Sequence, residues 1–148
     1  MLEIAVPPTL LSFGLYLLLS LVFGYIVGAE RESRGKAAGI STQCLVIAGS
    51  MTFCFLSAIM EPNAPTRIAS NVVTGIGFLG AGIIFHHAIT HKTAEKVVNL
   101  TTAATIWVSA AIGMTLGFGY PLLSVMLVVF SLLALHVPHY LPSRPASR

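Results

Sequence analysis

The 148 residues carry 13 formal charges, 8 basic and 5 acidic, which is 9% of the chain against about 25% in a soluble domain. Residues 4–29, 37–60, 68–91 and 97–143 contain no Asp, Glu, Lys or Arg. So small a fold does not hide that much apolar surface, which argues against a water-soluble enzyme. The net charge of +3 does not argue for nucleic acid, because the basic residues flank the apolar runs rather than form a patch.

The length fits a single domain over 1–148. Met1-Leu2-Glu3-Ile4 lacks the basic start of a secretory signal, and the first apolar run is long, so it reads as an uncleaved helix. A spanning helix needs roughly 20 mostly apolar residues. The charge-free runs therefore predict an all-α membrane bundle of five transmembrane helices, at about 9–28, 40–59, 66–85, 100–117 and 121–137. Pro7-Pro8 precedes the first span and Pro65 the third; Gly117-Phe118-Gly119-Tyr120-Pro121 reads as a tight turn dividing the longest run. A transmembrane β-barrel does not fit, since the runs are continuously apolar rather than alternating. Cys44 and Cys54 lie about 15 Å apart on one helix, too far for a disulfide, and read as small apolar residues.

Loop charge sets the expected orientation. Arg31, Arg34 and Lys36 follow span one, Lys92 and Lys96 follow span three, and Arg144 and Arg148 follow span five. With five spans all seven share a side and Arg67 stands alone on the other, which predicts the N-terminus outside and the C-terminus in the cytoplasm. His136, His139 and Tyr140 suit the interface at the cytoplasmic end.

Within span three, at about 100° per residue, Arg67, Asn71, Thr74 and Phe78 share a face. Polar groups are costly in hydrocarbon, so that face is expected to point into the bundle. Two readings stand: a pocket or ion path entered from outside, or a buried hydrogen-bond cluster, with Arg67 snorkelling to the headgroups. Gly75, Gly77 and Gly80 match the dinucleotide-binding string, but sit mid-span without the βαβ context it needs. With Gly82 they cover several sides, which predicts that span three is central; unwinding at a substrate site is the alternative. In span four Thr102, Thr105, Ser109 and Gly113 share a face, expected opposite Asn71 as a polar seam with Gln43 as a further member. The bland account is hydroxyls bonding back to their own helix. Gly24 and Gly28 form a small-xxx-small pair suited to another helix or a second copy.

The loop Glu30-Arg31-Glu32-Ser33-Arg34-Gly35-Lys36 is the densest charge cluster, and Glu30 and Arg34 have i,i+4 spacing. Anionic lipid heads account for it; docking of a partner is the functional alternative. His86, His87 and His91 read as an interfacial cluster rather than a metal site, with Glu95 the only nearby carboxylate. The chain has no Asp, no HExxH pattern and no P-loop. No catalytic residue, metal ligand or cofactor is predicted.

Three stretches together resemble the MgtC/SapB family of bacterial inner-membrane proteins. They are Gly28-Ala-Glu-Arg-Glu-Ser-Arg-Gly-Lys36 with Ala38-Gly39, Pro65-Thr-Arg-Ile-Ala69 leading to Val73-Thr-Gly-Ile-Gly-Phe-Leu-Gly-Ala-Gly-Ile83, and Leu100-Thr-Thr-Ala-Ala-Thr-Ile-Trp107. The resemblance covers roughly residues 10–137 and implies five spans. It also implies a link to growth under low magnesium, to survival of pathogens inside host cells and, in one branch, to modulation of the membrane ATP synthase. The positions carried over are Glu30, Arg31, Arg34, Gly35, Lys36, Arg67, Gly75, Gly77, Gly80, Gly82 and Thr101 to Thr105, with Asn71 by position only. Two departures stand out. Ala64 replaces the family's usual Asp, although Glu61 is near, and Val98-Asn99 replaces Arg-Gly. Many members also carry a soluble C-terminal domain; this chain ends shortly after span five, so functions residing there are expected to be absent.

The expectation is a non-enzymatic, multi-pass inner-membrane protein that regulates a membrane complex or supports adaptation to low magnesium, a virulence-related role. Its partners are the lipid bilayer and either another membrane protein or further copies of itself as a homo-oligomer, not nucleic acid. The alternative is a small magnesium or proton transporter using a polar seam between spans three and four.

Overall fold

A computed structural model describes residues 9–90 and 99–136, the side chains of 86–90 excepted. It holds five α-helices: α1 (Leu10–Ser33), α2 (Ile40–Met60), α3 (Thr66–Thr90), α4 (Leu100–Gly117) and α5 (Pro121–His136). No strand occurs among the described residues. The first four are long and apolar enough to cross a membrane, and α5 is a shorter apolar helix of 16 residues. The helix starts agree with the sequence reading. Two ends do not: α1 and α3 run on past 28 and 85, so Glu30, Arg31 and Glu32 belong to a helix rather than a loop.

The boundaries have local causes. Thr9 Oγ1 accepts from Ser12 N at 3.1 Å while Ser12 Oγ accepts from Thr9 N at 2.8 Å, a reciprocal cap on α1. Glu32 Oε2 accepts from Ile40 N at 3.2 Å, placing a carboxylate on the first turn of α2. Gly39 makes room for it, since a Cβ there would lie 2.6 Å from that oxygen. Ser57 Oγ donates to Pro65 O at 2.5 Å and closes the α2–α3 hairpin. Gly119, at φ +84, turns the chain from α4 into α5, where Thr115 Oγ1 and Ser124 Oγ meet at 2.7 Å.

Helices in lipid gain little from apolar burial against one another, so close backbone approach decides which of them associate. Two stripes of equal spacing supply it. On α1, Gly24 and Gly28 line the contact with α2: a Cβ on Gly24 would overlap the Cys44 backbone, and one on Gly28 the Ile40 backbone. On α4, Ser109, Gly113 and Gly117 meet Gln43, Ile47 and Met51, each pair 66 positions apart. The constant difference makes α2 and α4 parallel, whereas α1 runs antiparallel to α2. The core is built on this clamp, with Ile47, Met51, Ile112 and Leu116 fully buried.

α4 touches all four other helices, and α3 touches only α2 and α4 among the described residues. The expectation that span three is central is therefore corrected. Its glycines do not make it the hub, because Gly75, Gly77 and Gly82 have no neighbour within 4 Å of a Cβ position.

Candidate functional site

The charged residues at the end of α1 form a junction of three helices. Arg31 is 3% exposed, and its Nη2 donates to Thr102 Oγ1 at 2.9 Å in the first turn of α4. Glu30 Oε1 lies 2.5 Å from Arg34 Nε, the i,i+4 pair expected from the spacing, and Oε2 lies 3.9 Å from Arg31 Nη1. Arg34 Nη1 donates to Leu135 O at 3.3 Å. That carbonyl belongs to the last turn of α5, where a cation also meets the negative end of the helix dipole. The end of α1, the start of α4 and the end of α5 thus lie at one end of the bundle. Arg31 and Glu30 are too buried to be a solvated loop cluster. Lys36 and Gly35 are exposed, and Gly35 takes φ +61 in the turn after α1.

The polar contacts continue one layer inward. Ser109 Oγ donates to Gln43 Oε1 at 2.6 Å, and Gln43 Nε2 donates to Ala38 O at 3.2 Å. Beyond Ser109 the next contact is Gly113 against the Ile47 backbone and the Ser50 Cβ, and no side-chain hydrogen bond joins that layer to Ser109 or Gln43 among the described residues. The cluster therefore stops within the bundle. Thr105 is buried and bonds back to Thr101 O at 2.7 Å, while Thr101 is exposed.

The predicted seam between spans three and four is not formed. Thr102 and Ser109 of α4 face α1 and α2. The α3–α4 contact includes Val72, Ile76, Ile106 and Ala110, with Gly80 lying 3.7 Å from the Ala103 Cβ. The predicted inward face of α3 is also corrected. Asn71 and Thr74 are exposed, as is Phe78 at 80%. Neither Asn71 nor Thr74 makes a side-chain hydrogen bond among the described residues. The helix buries Ala69, Val72, Ile76 and Gly80 instead. Between α2 and α3 runs a groove of about 620 Å³, walled by Leu45, Gly49 and Phe53 on one side and Ile68, Asn71 and Gly75 on the other.

At the opposite end of the bundle Arg67 is exposed and forms a two-pronged pair with Glu61, Nε donating to Oε2 at 2.8 Å and Nη2 to Oε1. Glu61 thus supplies Arg67 with a carboxylate where Ala64 has none, and the Arg67 hydrogen bonds hold its carboxyl below the usual range. No group of three His, Cys, Asp or Glu that suits a metal occurs among the described residues. The side chains of His86 and His87, together with His91, Lys92, Glu95, Lys96, His139, Tyr140, Arg144 and Arg148, lie outside the described residues.

Sequence reasoning missed the partners rather than the residues. Leu135 O, as a backbone group, leaves no trace in the sequence. The two clamps did leave one, since Gly24-xxx-Gly28 and Gly113-xxx-Gly117 are the same pattern twice.

The fold and its apolar helices define a helical membrane protein whose charges collect at the helix ends. The profile of the MgtC family matches residues 17–143, and the chain belongs to that family. It is 43% identical over 105 residues to Protein MgtC of Salmonella typhimurium, covering 71% of this chain and 43% of that protein. It is 44% identical over 99 residues to Protein MgtC of Brucella abortus, covering 66% of this chain and 39% of that protein. The matched region is thus well under half the length of these curated relatives. No solved structure matches the chain.

Proposed function

We propose that this protein is a non-enzymatic, multi-pass protein of the bacterial inner membrane that regulates a membrane complex through helix contacts and so supports growth at low magnesium. The observation that carries this reading is the exposed face of α3, where Asn71 and Gly75 border the groove beside α2 and Thr74 and Phe78 are exposed. An amide in hydrocarbon is costly without a hydrogen bond, and lipid tails supply none. A neighbouring helix does. The N-terminus is outside and the C-terminus cytoplasmic in this proposal, supported by Arg31, Arg34 and Lys36 gathering at one end and Arg67 at the other. A transporter built on the span three–span four seam has no support, because that contact is apolar.

Reconstituted vesicles and a low-magnesium growth assay test the proposal. The expected result is no magnesium or proton flux above protein-free vesicles, with growth lost in Asn71→Leu and kept in Gly77→Leu. Robust flux abolished by Asn71→Leu would overturn it.

A further inference from the structure

Ser50 is only 3% exposed, yet its hydroxyl makes no hydrogen bond among the described residues. The hydroxyls of Ser20, Thr52 and Thr105 donate to the carbonyl four residues back, the usual outlet within a helix. Ser50 instead lines the groove between α2 and α3, as does Asn71, whose amide is likewise unbonded. The Ser57–Pro65 hydrogen bond sets the two helices level with each other. Ser50 lies seven residues from it on α2 and Asn71 six on α3, so both stand about 10 Å from the hairpin. Two polar groups without partners therefore share one level of an otherwise apolar groove.

The groove's size decides what fits it. It extends from Phe53 and Ile68 to Thr42 and Leu79, eleven residues on each helix, or about 16 Å. A volume of about 620 Å³ over that length gives a cross-section of roughly 40 Å², whereas a helix with its side chains takes about 80–110 Å². A helix does not seat in it; a hydrocarbon chain does. Hydrocarbon alone leaves Ser50 and Asn71 unbonded, so the occupant carries an acceptor at their level. Nearer the hairpin stand Glu61 and Arg67. Their pair uses two of the five guanidinium donors and two of about four carboxylate lone pairs. An anion and a primary ammonium can still be received side by side. Arg67 precedes Asn71 by four residues, about 6 Å, and the headgroup layer of a bilayer is roughly 5–8 Å deep.

We propose that the α2–α3 groove holds one phospholipid with a primary-amine headgroup. Its phosphate lies on Arg67, its ammonium on Glu61 and an ester carbonyl on Ser50 and Asn71. One acyl chain runs along Gly49 and Gly75, where a Cβ would meet nothing within 4 Å. The site goes beyond the proposed function and stands beside it. An ester carbonyl only accepts, so it takes an Asn71 N–H and leaves Oδ1, Thr74 and Phe78 to a neighbouring helix.

The test is photocrosslinking of the full chain in phosphatidylcholine vesicles that contain a phosphatidylethanolamine with a diazirine in its acyl chain. Peptide mass spectrometry places the adducts. They are expected at Leu45, Gly49 and Leu79 well above Leu122 and Val129, exposed positions on α5 away from the groove. Gly49→Leu fills the groove from a position that is open in its own protomer, and should lower groove labelling about tenfold. Gly77→Leu, open but off the groove, should leave it unchanged. Ser50→Ala removes one hydrogen bond and should lower it about fivefold. Unlabelled phosphatidylethanolamine should compete better than phosphatidylglycerol, and Glu61→Gln should abolish that preference. Even labelling of groove and α5 positions would overturn the site. Groove labelling below that of α5 would mean that a second copy covers the groove, and would overturn the lipid. Equal competition by the two lipids in the wild type would overturn the headgroup contacts.

Discussion

Arg31 donates to Thr102 Oγ1 across 2.9 Å and 71 positions of sequence, tying the end of α1 to the start of α4. The guanidinium is 3% exposed, and its Nε has no hydrogen-bond partner among the described residues. A buried cation that keeps few partners depends strongly on each of them.

Thr102→Val removes that acceptor while nearly keeping the volume. Hydrogen bonds to charged groups contribute about 1.5–3 kcal/mol, so a loss of that size is expected. Thr102→Ser keeps the hydroxyl and should stay close to wild type. Thermal unfolding in detergent micelles reads both. Equal midpoints for Thr102→Val and wild type would show that the bond contributes nothing.

The two small-residue stripes give a second contrast. A side chain on Gly113 meets the Ile47 carbonyl, which is backbone and does not rotate away. Gly113→Leu is expected to cost more than the roughly 1–3 kcal/mol of ordinary overpacking and to abolish the folded bundle. Gly77 has open space around it, so Gly77→Leu should leave the unfolding free energy within about 0.5 kcal/mol of wild type. Retention of a folded, monodisperse Gly113→Leu protein would contradict the close α2–α4 approach.

How much of this was legible in the sequence depends on which quantity each residue controls. Helix positions were readable because bilayer thickness sets run length, and charges such as Glu61 and Lys36 mark the ends. The inward face of α3 was not. In lipid both faces of a helix are apolar, so a face bearing Asn71 and Gly75 looks the same whether its own chain or a second molecule covers it. Arg31 reads as a loop residue facing lipid headgroups because no local signal shows that α1 continues three residues past Glu30. The Glu30–Arg34 pair was readable from spacing alone, being local. Thr102 and Leu135 were not, because contacts that distant are set by how the helices cross.

Ser109 and Gln43 allow a coupling measurement. Both are fully buried, and Gln43 Oε1 accepts the Ser109 hydroxyl at 2.6 Å. Ser109→Ala orphans a buried acceptor, at a cost of about 1–3 kcal/mol. Gln43→Leu removes the amide itself. The double variant no longer has that orphan, so its loss should be smaller than the sum of the single losses. A double-mutant cycle on unfolding free energies measures the difference, and strict additivity would mean the two side chains are not coupled.

The Glu61–Arg67 pair predicts a pH response at the opposite end of the bundle. The Arg67 hydrogen bonds, and secondarily its charge, lower the folded-state pKa of Glu61. A carboxyl with a depressed folded pKa contributes stability that is present above its unfolded value, about 4.3, and is lost as pH falls through the lower folded value. The pair is solvent-exposed, so its contribution is small and screened by salt. The stability difference between wild type and Glu61→Gln should therefore be flat from about pH 5.5 to 8, then shrink in acid below the ordinary carboxylate range. Added salt should reduce it at neutral pH. Unfolding midpoints of the two proteins, scanned together across pH at low and high salt, decide the matter. A difference that grows in acid would mean that Glu61 does not gain its stability from Arg67.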